Sequence, residues 1–181
     1  MQKDISRIVH DGARFFSGPV HFSGGDWVTT GILTSGTLAC FPLDESMRTI
    51  SQRNRSHTAD RIADLGDYYG NGKYAIGFSG LLYAAGSAWG SRQLSETGIL
   101  VFESVTFAGL STTILKTLFG RSRPNLEEGS VRFRGLQFDN DYLSLPSGHA
   151  TVAFALSSVL AKQAGTYSSA ELIPKAPSSI A

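Results

Sequence analysis

Apolar and polar stretches alternate along the chain at lengths that predict helices. Trp27–Leu43 is 17 residues without a charge and ends at Pro42; Tyr74–Ser91 is 18 uncharged residues; Ile99–Leu115 is 17 residues whose only charge is Glu103. A fourth apolar helix is predicted from His149 to Ala161, capped by Ser147 or a neighbour. Ahead of these runs, Ile5, Ile8, Val9 and Ala13 recur at helical spacing between charges, and Ser17-Gly-Pro19 and Ser23-Gly-Gly25 break the pattern. Residues 1–25 therefore read as an amphipathic segment, fit either to lie on a bilayer or to cap a bundle.

Between the runs, Asp44–Lys73 is polar. Asp60, Asp64 and Asp67 fall at i, i+4 and i+7 and so share a helical face. That face reads as solvated and salted by Arg61, with metal binding as the other reading. Gly70-Asn-Gly-Lys73 hints at a phosphate loop. Asp67 stands where the loop's first glycine belongs and Tyr74 where its Ser or Thr belongs, so a turn before a helix is expected. The helix opening near Ser95 should run to about Phe119, with Gly120 as its stop and Lys116 and Arg121 suited to its negative end. Residues 125–145 are polar, with a turn signal at Asp139-Asn-Asp141. From Gly165 the apolar stripe ends, and 165–181 reads as a disordered or loosely packed tail.

Composition changes this picture in one respect. The charged fraction is 17%, with 20 glycines; soluble domains average about 25% charged. Small residues in place of charge suit helices packed inside a membrane, and Gly86-Ser-Ala-Trp-Gly90 has the small-xxx-small form of a close crossing. A lone Glu103 in such a helix should face the bundle interior or a polar cavity. The apolar runs are shorter than the ~20 residues of a typical span, and mean hydropathy is −0.03. The expectation is nevertheless an integral membrane protein, with a soluble helical bundle as the alternative. A net charge of +1 gives no sign of nucleic-acid binding. The single cysteine, Cys40, reads as a small buried hydrophobe and excludes an internal disulfide or a multi-cysteine metal site.

Two segments carry the candidate chemistry. Lys116 is followed by Arg123-Pro124 at the end of an apolar helix, and Pro146-Ser147-Gly148-His149 opens the next. Arg offers planar bidentate donors and Lys a compact charge, the pair a phosphoryl group needs. Pro124 biases Arg123 away from helix, so the guanidinium sits at a helix exit. Gly148 lets a backbone N–H approach an oxyanion, and the start of the following helix adds unpaired N–H groups. Ser147 adds a hydroxyl donor. His149 is suited to protonate a departing alkoxide, because an ordinary imidazole titrates near neutral pH. Taken singly these are helix-end decoration and a helix cap; taken together, in this order, they describe an oxyanion pocket.

The chain resembles the type 2 phosphatidic acid phosphatase superfamily, which includes bacterial acid phosphatases and vanadium haloperoxidases. Its signature is Lys-x6-Arg-Pro, Pro-Ser-Gly-His and Ser-Arg-x5-His-x3-Asp. The first part matches at Lys116, Arg123 and Pro124, the second at Pro146–His149; Gly120–Pro124 and Phe154-Ala155 add to the likeness, which covers roughly 70–163. The resemblance implies an all-α helical bundle, here with about five helices and the last ones missing, in a domain spanning 26–164. It implies that Lys116, Arg123, Ser147 and Gly148 bind phosphate and that His149 is the general acid. It also implies cofactor-free, metal-independent hydrolysis of phosphate monoesters or pyrophosphates, on lipid or isoprenoid substrates at a bacterial inner membrane.

The third part, which in the family carries the attacking histidine, is not found. The histidines are His10, His21, His57 and His149, and the position four past His57 holds Arg61 rather than aspartate. The expectation is that one or two further helices belong after residue 181. The alternatives are a haloperoxidase binding vanadate, a soluble periplasmic acid phosphatase, and a catalytically inactive oxyanion-binding fragment.

Overall fold

A computed structural model describes residues 2–123, 126 and 132–172. Among them are seven α-helices: α1 (Gln2–Ser17), α2 (Gly24–Cys40), α3 (Asp44–Arg53), α4 (His57–Gly70), α5 (Gly72–Ala88), α6 (Arg92–Phe119) and α7 (Gly148–Leu172). Short 3-10 turns occupy Gly18–His21, Phe41–Leu43 and Asn140–Tyr142. The fold is all-α, as the apolar pattern predicts. The expected count of about five rises because the polar stretch after Leu43 forms two helices, broken at Asn54 and restarted by Ser56, whose side chain accepts from Ala59 N–H.

The bundle is built on α5, α6 and α7. Ala75, Val101, Val105, Val152 and Leu156 form its core, with Val101 fully buried. The α5–α6 contact is close because glycine permits it. A Cβ on Gly98 would lie 2.7 Å from Ser79 O and Tyr83 N, and one on Gly86 would overlap the backbone of Ser95. Gly86 thus serves the crossing anticipated from its small-xxx-small setting. Its partner in that pattern, Gly90, instead makes the following turn at φ 67°. Ser91 caps α6, accepting from Leu94 N–H, so the helix starts at Arg92, slightly earlier than the Ser95 expectation.

Polar ties supplement the core. Thr112 Oγ1 donates to Thr151 Oγ1 at 2.9 Å, and Tyr69 and Ser157 share a hydroxyl contact of 2.6 Å between α4 and α7. Segment α1 caps the bundle: Gly12 lies against the Phe107 ring, and Phe15 stacks on the same ring at 5.7 Å. Glu103 is buried, as a lone carboxyl in an apolar helix should be.

Two expectations are corrected. Cys40 is exposed, because α2 stands away from the core and has no buried residue. Helix α7 does not end at Ala161 but continues to Leu172. Residues 162–172 contain no proline to interrupt the backbone ladder, so the helix carries on although the apolar stripe has ended. The remainder of the tail, 173–181, lies outside the described residues, as does Pro124.

Helix α6 is long and apolar enough to cross a membrane. Its 28 residues have an 18-residue window of mean hydropathy 1.6, of which 28% is buried within the bundle. At 1.5 Å per residue it is about 42 Å long.

Candidate active site

The site forms where α6 ends and α7 begins. Gly120 stops α6 in the left-handed conformation, φ 56°, and its N–H bonds to Lys116 O at 2.9 Å. A Cβ at Gly120 would overlap Gly135 O, so only glycine fits this exit. The chain then runs through Arg121, Ser122 and Arg123 as a loop. Ser144 clamps that loop: its hydroxyl bridges to Arg121 O and Ser122 O, both at 3.0 Å, and its N–H donates to Arg121 O. Arg121 ion-pairs with Asp44 and lies over the Phe41 ring, 5.0 Å from its centroid.

Lys116 sits in the last full turn of α6. Its ammonium donates to Leu143 O at 2.6 Å, in the segment leading to Pro146. Arg123 stands beyond the helix exit, as the sequence suggests. Its N–H bonds to Asp141 O, while its Nε donates to Asn140 O at 2.7 Å and Nη2 to Asn140 Oδ1 at 3.0 Å. Asn140 therefore holds the guanidinium on two donors, leaving the rest of the fork for a ligand.

Ser147 caps α7. Its Oγ accepts from Ala150 N–H at 3.3 Å, so the hydroxyl proton remains to be donated. Gly148 begins the helix, and a Cβ there would lie 3.9 Å from Lys116 Cε. The two sequence segments thus meet: the start of α7, with its unpaired N–H groups, faces the stem of Lys116. His149 follows on the first turn. Its Nε2 lies 2.9 Å from Asp67 Oδ1 of α4.

Of the carboxylates on the α4 face, Asp60 pairs with Arg55 at 3.9 Å and Asp67 with His149. In the sequence Asp67 stood out as a member of a polar face and as the residue in place of a phosphate loop's first glycine, not as a partner of His149. Sequence reading missed Asn140 and Ser144 as supports of the loop; the turn signal at 139–141 was visible, but not that its Asn would clasp Arg123.

A groove of about 910 Å³ extends along α6 and α7 from this site. Ser147 lines it together with Glu103, Phe107, Thr151, Phe154 and Val159. Glu103 Oε1 is buried there without a hydrogen-bond partner.

Residues 97–170 match the family model of the PAP2 superfamily. This stretch belongs to that superfamily. It is the type 2 phosphatidic acid phosphatase superfamily whose first two signature parts the sequence carries. No curated protein and no solved structure matches the chain. The PAP2 stretch takes in most of α6, the loop and nearly all of α7, and so contains Lys116, Arg123, Ser147, Gly148 and His149. Asp67 and Asp44 lie before it, on helices that reach the site from outside.

Proposed function

We propose that the protein is a PAP2-type phosphatase that hydrolyses phosphate monoesters or pyrophosphates carried by lipids or isoprenoids, at a bacterial inner membrane. The observation that carries this reading is the meeting of Lys116 with Gly148, which joins a two-cation helix exit to a helix start rich in N–H donors. In this reading Lys116, Arg123, Ser147 Oγ–H and the Gly148 N–H hold the phosphoryl oxygens. His149 gives a proton to the leaving oxygen. None of the four histidines present fits the family's third pattern, the one that carries the attacking histidine. No metal or cofactor takes part.

The lipid substrate class is supported by the apolar groove that starts at Ser147. The membrane setting is supported by α6 and by the outward aromatic and aliphatic side chains of α2 and α5, such as Trp27, Ile32, Leu33 and Leu81. Apolar patches of that extent are uncommon on water-soluble monomers.

The test is phosphate release by the product of the complete gene, from a panel of a long-chain lipid phosphate, an isoprenoid pyrophosphate and p-nitrophenyl phosphate. Release that favours the chain-bearing substrates and is lost in His149→Ala is the expected result. Equal rates on all three would remove the lipid substrate class. Saturable phosphate binding without any release would identify an oxyanion-binding relative instead.

A further inference from the structure

We propose that Asp67 is the positioning residue of His149. It holds the ring through Nε2, so that the proton given to the leaving group is the one on Nδ1. This inference rests on the phosphatase reading above.

The geometry is set from two directions. Helix α4 reaches α7 at one point where no side chain intervenes: a Cβ on Gly70 would lie 2.8 Å from both Cβ and O of His149. The next residue back, Tyr69, meets Ser157 through its hydroxyl at 2.6 Å. Asp67 is three residues before Gly70, one helical turn along the same face. Its carboxylate therefore arrives beside the ring whenever the glycine contact is made, and Asp67 Oδ1 stands 2.9 Å from Nε2.

A carboxylate only accepts, so the nitrogen facing it carries a proton. With Nε2–H committed, the second nitrogen becomes the exchangeable one. In the protonated ring Nδ1–H faces the leaving oxygen. As the attacking imidazole forms its bond to phosphorus, the P–O bond breaks with its electron pair on that oxygen, and the oxygen takes the Nδ1 proton. The ring is left neutral, with Nε2–H still on Asp67.

The side chains of His149 and Asp67 are 56% and 64% exposed. A pair so open to water adds little to fold stability. The core of α5–α7, the Gly70 contact and the Tyr69–Ser157 tie hold the helices without it. The value of the pair lies in orienting the ring.

The experiment records ring-nitrogen shifts of isotopically labelled histidine in the full chain, in mildly alkaline buffer, with His149→Gln to assign the signal. Inorganic phosphate is titrated in parallel. In Asp67→Ala the His149 Nε2 signal should move while those of His10, His21 and His57 stay, and Asp67→Glu should bring it back. Phosphate affinity in Asp67→Ala should stay within about twofold of the parent, because the carboxylate serves the ring and not the anion. An unmoved His149 signal overturns the inference. So does movement of all four histidines, which would mean a displaced helix, or a phosphate affinity weakened by about tenfold or more. A parent chain that binds no phosphate while its His149 signal responds to Asp67 would remove the phosphatase reading and leave the pairing itself standing.

Discussion

Gly70 lies against the backbone of His149 so closely that a Cβ on the glycine would come within 2.8 Å of His149 Cβ and O. Two helices far apart in sequence thus touch at the residue proposed as the general acid. Packing and chemistry are coupled there: whatever moves α4 also moves the neighbourhood of the imidazole.

Gly70→Ala is therefore expected to push α4 off α7. The added methyl meets backbone, which cannot give way as a flexible side chain can. Overpacking of this kind costs about 1–3 kcal/mol. Thermal unfolding of the purified chain measures it, and an alanine variant as stable as the parent would show that the helices do not meet as described.

Gly120→Ala should be at least as harmful, for a different reason. The position has φ 56°, and the methyl would overlap Gly135 O. The left-handed backbone alone costs an alanine about 1–2 kcal/mol. Because this turn delivers Arg123 to the site, the variant should lose phosphate affinity as well as stability. Loss of stability with full phosphate affinity would separate the turn from the site.

Asn140→Ala tests the clasp on Arg123. The guanidinium loses one partner, the side-chain Oδ1 at 3.0 Å, but keeps the Asn140 backbone carbonyl at 2.7 Å. A hydrogen bond to a charged group is worth about 1.5–3 kcal/mol. Part of that should appear as weaker phosphate binding, with little change in unfolding temperature because the residue is exposed. Isothermal titration with inorganic phosphate reads the effect, and unchanged affinity would show that Arg123 does not need the clasp.

The membrane setting is tested by alkaline carbonate washing of cell membranes that contain the chain. Helix α6 presents most of its apolar window outward, so the chain should stay with the lipid pellet and leave it only in detergent. Recovery in the carbonate supernatant would favour the soluble periplasmic alternative.

Much of the local geometry of the candidate site was legible in the sequence because its parts are local. Gly120 as a helix stop, Lys116 one turn before it, and Ser147 as the cap of the next helix all follow from rules acting within a few residues. What was not legible depends on distance. Asp67 and His149 are separated by more than two helices, and nothing in the spacing of Asp60, Asp64 and Asp67 says which of them meets an imidazole. Ser144 and Asn140 look like ordinary loop residues until the loop they clamp is folded against them. Cys40 was misread because an apolar run implies burial only if something packs on it, and among the described residues nothing buries α2. The extent of α7 was underestimated because its hydrogen-bonded ladder does not need the apolar stripe that revealed its first half.

The central claim is that Lys116, Arg123 and the Ser147–His149 helix start form one anion pocket. Titration of the full chain with inorganic phosphate, beside Lys116→Ala and Arg123→Ala, tests it most directly. Removing one charged partner should cost about 1.5–3 kcal/mol, or about ten- to a hundredfold in affinity, in either variant. Saturable binding by the parent that both variants lose to that degree is the expected result. Binding that neither variant weakens would contradict the claim, and would place the phosphate elsewhere on the protein.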